Sequence, residues 1–465
     1  MPRTAWPLLC LALLGLPALA AQRPDHRALE RDVLRELVEI NTSDSAGRTM
    51  EAAQSLARRL HEAGHPAADV HVLEPGPRQG MLVARYRGTG RGGRPILLMA
   101  HLDVVDARAE DWSMAPYTFH EVGGYYYGRG TNDNKAGAAM LVANFIRYRR
   151  EGFVPDRDLV IVLTSDEETG QTSIAWVLEH HRDLVDAEFA LNTDAGGGEL
   201  KDGKPITFAV QAAEKLYQTY RLEVRNRGGH SSVPESPNAI YQLSEALLRI
   251  ARHVFPVHLT EVSRAYFARS AGGQDPETAA AMRALAERDD PAAAARLATV
   301  PYYNGVMRTT CVATGLFAGH AENALPQLAR ATVNCRLVPG ESPDTVRALL
   351  ARLAADTAVH VTPVDPPNPS PPSPLTPAVM EPVEHLAREM WPAAVVIPEQ
   401  STGGTDGIYT RNAGIPTYGV AALFDEVGDV RAHGRDERVG VKSYHDAAEY
   451  WYRLVQRLAT AGPGA

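Results

Sequence analysis

Four short clusters carry residues able to bind a divalent cation: His101-Leu102-Asp103, Asn132-Asp133-Asn134, Asp166-Glu167-Glu168 and Thr193-Asp194. Each ends an apolar run or opens a helical one. A lone acid in such a place is most often a helix cap or a solvated loop residue. Four in succession are hard to attribute to capping alone. Imidazole nitrogen and carboxylate oxygen are zinc ligands, and a catalytic zinc keeps one position open for water. His101 and Asp103 stand two apart at a strand end, so their side chains point to one face. Asp103 is then placed to accept the second ring N–H of His101 and fix its tautomer. Glu167 and Glu168 are adjacent and point in different directions. One can bind a cation while the other stays free as a base.

The elements that position these clusters alternate in type. Arg27–Ala63 has helical spacing, with Leu29, Val33, Leu37 and Ile40 on one face. Met81–Tyr86, Ile96–Ala100, Leu159–Thr164 and Phe189–Asn192 read as apolar strands, with helices predicted over Ala136–Arg150 and Ile174–His180. Continuous apolar strands between helices predict a mainly parallel sheet covered on both faces, with ligands outside its carboxyl ends. After about Glu214 the texture changes. Tyr217–Val224, Thr309–Phe317, Ala329–Leu337 and Val359–Val364 read as strands, and Asn238–Val254 and Thr345–Ala355 as helices. With the Ala-rich helical piece 255–306 set aside, the order is β-α-β-β-α-β, a split βαβ unit. Asp365–Pro377 is a proline-dense linker. Met380–Met390, Thr417–Val420 and Ser443–Leu458 then resume the first pattern. The predicted organisation is a catalytic α/β domain in two parts, 22–213 and 365–465, interrupted by a ferredoxin-like α+β domain over 214–364.

The chain has 465 residues and a formal net charge of −9 with no block of like charges, which disfavours nucleic acid as a partner. Residues 1–21 read as a signal peptide: Arg3, an apolar Leu8–Leu16 too short for a membrane anchor, and the small-x-small Ala18-Leu19-Ala20 before cleavage near Ala20 or Ala21. A secreted or periplasmic protein is expected, with no membrane anchor after cleavage. Cys311 and Cys335 remain after cleavage, and either a disulfide or two buried thiols is open.

The stretches His101–Val105, Gly128–Lys135, Ser165–Gly170, Gly228–Ser232 and Gly403–Gly407 resemble, in order, the signatures of the M20 metallopeptidases, a group of carboxypeptidases, dipeptidases and aminoacylases. The resemblance implies a two-zinc exopeptidase-like domain with a mixed, mainly parallel sheet and an inserted lid. It implies that Asp133 bridges two Zn2+ ions (Co2+ or Mn2+ as alternatives). His101 and Asp194 would complete one metal, and Glu168 and His433 the other. His433 is assigned only through the resemblance of Ala432–Glu437 to the family's last ligand segment. Glu167 would be the general base, acting on a water between the metals, and Asp103 the partner of His101. In the lid, His230 would polarise the scissile carbonyl from the partner of a homodimer. Asn323 and Arg336 would bind substrate, Arg336 through its carboxylate, and Gly403, Gly404 and Thr405 would offer backbone N–H groups.

The chain departs from the family pattern at Asn134, with little consequence expected, and in the insertion 255–306, which is expected to enlarge the lid. The implied function is a dipeptidase- or carboxypeptidase-type exopeptidase on short peptides with a free carboxylate. An N-acyl-amino-acid amidohydrolase is the alternative, and a non-catalytic zinc- or peptide-binding protein the alternative of another class.

Overall fold

The computed structural model describes residues 25–460, so the expected signal peptide lies outside the described residues. The helical stretch after it is two helices, His26–Glu39 and Thr49–Glu62. Between them the Asn41 side chain accepts the Ser43 N–H at 3.0 Å, a local turn that competes with helix.

The larger sheet has ten strands. Its centre is parallel: Leu159–Thr164, Ile96–His101, Phe189–Asn192 and Thr417–Gly419 lie side by side. Met81–Tyr86 and then Val70–Leu73 extend one edge antiparallel. On the other side Lys204–Glu214 carries Val395–Ser401 in parallel and Gly197–Lys201 antiparallel, with Phe424–Glu426 outermost. Side-chain alternation explains why the central strands are apolar throughout. Ile96, Leu98 and Ala100 enter the core beneath Lys135–Glu151 and Val441–Thr460, while Leu97 and Met99 enter the core beneath Thr172–His180.

Strands Val70–Leu73, Lys204–Glu214 and Val395–Ser401 are absent from the sequence expectation. Val395–Ser401 contains Pro398, which argues against a central strand. It pairs only with Lys204–Glu214, and an outer strand tolerates the missing N–H.

The second sheet is antiparallel, in the order Thr310–Ala318, Leu328–Leu337, Leu216–Arg225, His360–Pro363. Helices Ala239–Arg252 and Pro343–Ala354 share its apolar core. That order is the ferredoxin-like arrangement. Cys311 and Cys335 sit opposite each other on neighbouring strands and form a disulfide.

The insertion forms four helices, Glu261–Ser270, Pro276–Arg288, Pro291–Leu297 and Pro301–Met307, around a core that includes Ile397. Thr260 Oγ1 donates to Gln400 at 2.9 Å and Tyr302 OH to Glu399 at 3.0 Å. The insertion therefore packs on the outer strand of the larger sheet. It is contiguous in sequence with the second sheet but enlarges the first body.

Candidate active site

The strand ends deliver their residues to one place. His101 closes Ile96–His101, and Asp194 follows Phe189–Asn192 by two residues. Asp133 lies in the turn before helix Lys135–Glu151, and its peptide bond to Asn134 is cis. His101 Nε2 lies 2.9 Å from Asp133 Oδ1 and 3.2 Å from Asp194 Oδ1. His433 Nε2 lies 3.0 Å from Asp133 Oδ2 and 2.9 Å from Glu168. Two groups of candidate metal ligands result, His101–Asp133–Asp194 and Asp133–Glu168–His433, and Asp133 gives a different oxygen to each.

The donor chemistry fits cations. As a neutral ligand each Nε2 points a lone pair at two carboxylate oxygens, which is repulsive unless positive charge lies between them. Burial opposes protonation of His101, yet the Asp194, Asp103 and Asp133 carboxylates raise it well above the usual imidazole range. Bonds to Asp133 and Glu168 push His433 up to about 10. The protons supply charge that two divalent cations would supply in their place. Burial, reinforced by Asp194, pushes Glu167 up to about 10, and burial pushes Asp194 up to about 6 and Asp406 up to about 8. Cations beside these carboxylates would invert that direction.

The sequence profile of peptidase family M20/M25/M40 matches residues 97–457. The chain belongs to peptidase family M20. It is 28% identical over 386 residues to the N-fatty-acyl-amino acid synthase/hydrolase PM20D1 of Homo sapiens, covering 80% of this chain and 76% of the relative. It is also 28% identical, over 81% of this chain and 74% of the relative, to the probable carboxypeptidase S-like 2 of Dictyostelium discoideum. Its fold matches the M20 metallo-carboxypeptidase Sso-CP2 from Sulfolobus solfataricus, with TM-score 0.68, 16% identity, and 92% and 99% of the two chains covered. The M20 chain is thus a metal-dependent hydrolase of peptide or amide bonds.

Several side chains hold this M20 site in shape. His101 Nδ1 donates at 2.9 Å to the backbone carbonyl of Asp103, while the Asp103 carboxylate is 3.5 Å away. That carboxylate accepts the N–H groups of Glu167 and Glu168 at 3.1 and 2.9 Å. The expectation that the Asp103 carboxylate accepts the His101 ring N–H is corrected: its backbone carbonyl takes that bond, and the carboxylate ties the histidine strand to the paired glutamates. Gln171 donates to Glu167 at 2.8 Å. Asp166 is a plain cap, accepting the N–H groups of Thr172 and Ser173.

Glu437 was not singled out by its sequence. It is fully buried and accepts the N–H groups of Gly130, Asn132 and Asp133, and the Arg129 guanidinium at 2.7 Å. Arg129 in turn donates to the Gly434 carbonyl, beside His433. Asn134 also matters more than expected, because its amide donates to Asp194 at 3.0 Å and accepts from Thr193 at 2.8 Å.

The other predicted residues lie elsewhere. His230 is exposed on the ribbon Gly229–His230 with Ala324–Leu325, and Ser232 bonds its Nδ1. Asn323 joins it there, its carbonyl accepting the Ser231 N–H. Arg336 lies on Leu328–Leu337, 4.5 Å over the Tyr217 ring. Within the described residues of one copy, the side chains of His230 and Arg336 make no hydrogen bond to the acidic cluster. The Gly403 N–H bonds Ser401. Thr405 is buried, and its N–H and hydroxyl both go to Glu214. The expectation that Gly403 and Thr405 offer their N–H groups to an anion is corrected, because Ser401 and Glu214 already take them.

Proposed function

We propose that this M20 enzyme hydrolyses one amide bond in a small substrate with a free carboxylate, a short peptide or an N-acyl amino acid. The carrying observation is Asp133, whose two oxygens address two separate groups of ligands beside the unliganded Glu167. Two divalent cations, zinc by default of affinity order, would lower the pKa of a water and polarise the carbonyl. Glu167 takes the proton from the attacking water and returns it to the leaving nitrogen. Gln171 orients that carboxylate, and Asp103 fixes the backbone of Glu167 and Glu168. Arg336 binds the substrate carboxylate once the second sheet closes over the first as a lid, and His230 of a partner copy binds the developing oxyanion. A binding protein would have no use for a free base at this position. The exopeptidase reading draws on the carboxypeptidase-like relative and the N-acyl reading on the human relative. Export past the cytoplasm agrees with the Cys311–Cys335 disulfide.

Glu167→Ala should keep both metals and the fold and retain less than about 1% of turnover, since it removes a base and no ligand. Metal analysis alongside steady-state kinetics reads both quantities, and near wild-type turnover would end the assignment of Glu167. Amidating the substrate carboxylate should cost about 3 kcal/mol, roughly a hundredfold in kcat/KM, because it removes charge-assisted bonds. Equal rates for acids and amides would remove carboxylate recognition from the proposal.

A further inference from the structure

An ion pair is buried beneath the loop that follows strand Val395–Ser401. Glu214 ends Lys204–Glu214 and Arg411 lies in helix Gly407–Asn412. Arg411 Nη2 is 2.8 Å from Glu214 Oε2, and both side chains are 1% exposed. Other donors converge on the same carboxylate. Gln211 Nε2 at 2.8 Å and the Thr405 hydroxyl at 2.6 Å reach one oxygen, and the Thr405 N–H reaches the other at 3.3 Å. An ionised carboxylate only accepts, so all of these groups donate to it. The Thr405 hydroxyl has one proton, and Glu214 takes it. Its lone pairs then face the Gly407 N–H at 3.0 Å and Asn192 Nδ2 at 3.4 Å. That turns the Asn192 amide so that its oxygen accepts the Asp194 N–H at 3.1 Å. Arg411 also donates to the Thr417 carbonyl at 3.2 Å, on the strand beside Phe189–Asn192. One buried charge thus sets the direction of every bond from Glu214 to Asp194, and Arg411 offsets the cost of burying it.

We propose that Glu214 and Arg411 are positioning residues for one metal group, His101–Asp133–Asp194, and not for the other, Asp133–Glu168–His433. The inference rests on the two-metal reading above and goes beyond it by making the two groups unequal in what holds them. Asp194 stands two residues past the end of its strand, and its N–H is fixed through Asn192. With an amide in place of the Glu214 carboxylate, an NH2 group faces donors. The Thr405 hydroxyl is then free to turn, and the Asn192 amide with it, so the Asp194 carboxylate loses its aim. The other group hangs on different partners: the Glu168 N–H on Asp103, and the segment of His433 on Arg129.

The test strips the full chain of metal and titrates it with Co2+ alone, followed by calorimetry and visible absorption. The wild type should take up two ions. In Glu214→Gln one ion should bind as in the wild type and the other about 10- to 100-fold more weakly. The absorption of the ion that stays should match that of Asp194→Ala, which impairs the same group, and differ from that of His433→Ala. Turnover of Glu214→Gln should recover as Co2+ is raised. Should Glu214→Gln fail to fold, because Arg411 loses its counter-charge, the double substitution Glu214→Gln with Arg411→Met removes both charges together and should weaken the same ion. A lowered Tm with both ions bound as in the wild type would make the pair a stability element only and overturn the inference. Equal weakening of the two ions would overturn it as well. A wild type that binds fewer than two ions would instead overturn the two-metal reading, and this inference with it.

Discussion

Glu437 does for the metal-ligand loops what no ligand can do for itself. Its two oxygens take three backbone N–H groups around Asp133, and its partner Arg129 reaches the backbone next to His433. Glu437→Gln keeps the shape but turns one acceptor into a donor facing donors. Metal affinity should fall by about 10- to 100-fold, as for other groups that hold ligands in place. Chelator competition on the purified variant measures this, and an unchanged affinity would make Glu437 a structural residue only. Asp133→Ala should lose more metal than Asp194→Ala, because only Asp133 faces both groups, and mass spectrometry of the two variants checks it. His101, Glu168 and Asp194 were legible as candidates because apolar strands end just before or at them, and Asp133 because it opens a helix, while their ligand roles came from the family resemblance. Glu437 was not, because its partners lie more than 300 residues away and a buried acceptor looks like any other glutamate. His433 had the same difficulty and was reached only through family resemblance.

Among the elements, the passage from one sheet to the other turns on Lys215, between Lys204–Glu214 and Leu216–Arg225. Its ammonium is buried and donates to the carbonyls of Gly305 and Arg308 at 2.8 Å, pinning the end of helix Pro301–Met307. Burial lowers its pKa to about 7, against about 10.4 in an unfolded chain. The unfolded state therefore binds more protons across that interval, and this group's contribution to stability rises as pH goes from about 7 to about 10. Lys215→Met should lose that rise, so the wild type gains Tm on the variant with increasing pH. Parallel melting curves of the two proteins would contradict it. The residue is silent in sequence, one lysine in a polar stretch. Leu159–Thr164 was legible for the opposite reason: both its faces are buried, so no polar residue interrupts it. The insertion was legible as helical but not in its placement, since its apolar faces match the sheet edge through Ile397, a contact between distant segments.

In the whole molecule, the docking of the insertion on the larger sheet leaves the outer strand of the second sheet bare. Thr310–Ala318 pairs on one side only, and Val312, Leu316 and Phe317 are 61, 65 and 63% exposed. An apolar strand edge of this kind is a template for pairing with another chain. A second copy would join edge to edge about a twofold axis and bury the same residues from both copies. His230 fits this assembly, since it is exposed and, among the described residues, its side chain bonds only its neighbour Ser232. We predict a homodimer in which each active site takes His230 from its partner. Light scattering should give twice the chain mass, and the double substitution Leu316→Lys with Phe317→Lys should give monomers of low activity. Subunit mixing discriminates further. Glu167→Ala and His230→Ala should each be inactive alone. After unfolding and refolding together, mixed dimers carry one intact site, built from Glu167 of one copy and His230 of the other. Random pairing makes half the dimers mixed, so activity should return to about a quarter of wild type. No recovery, with dimers present by light scattering, would mean that His230 acts within its own chain or not at all.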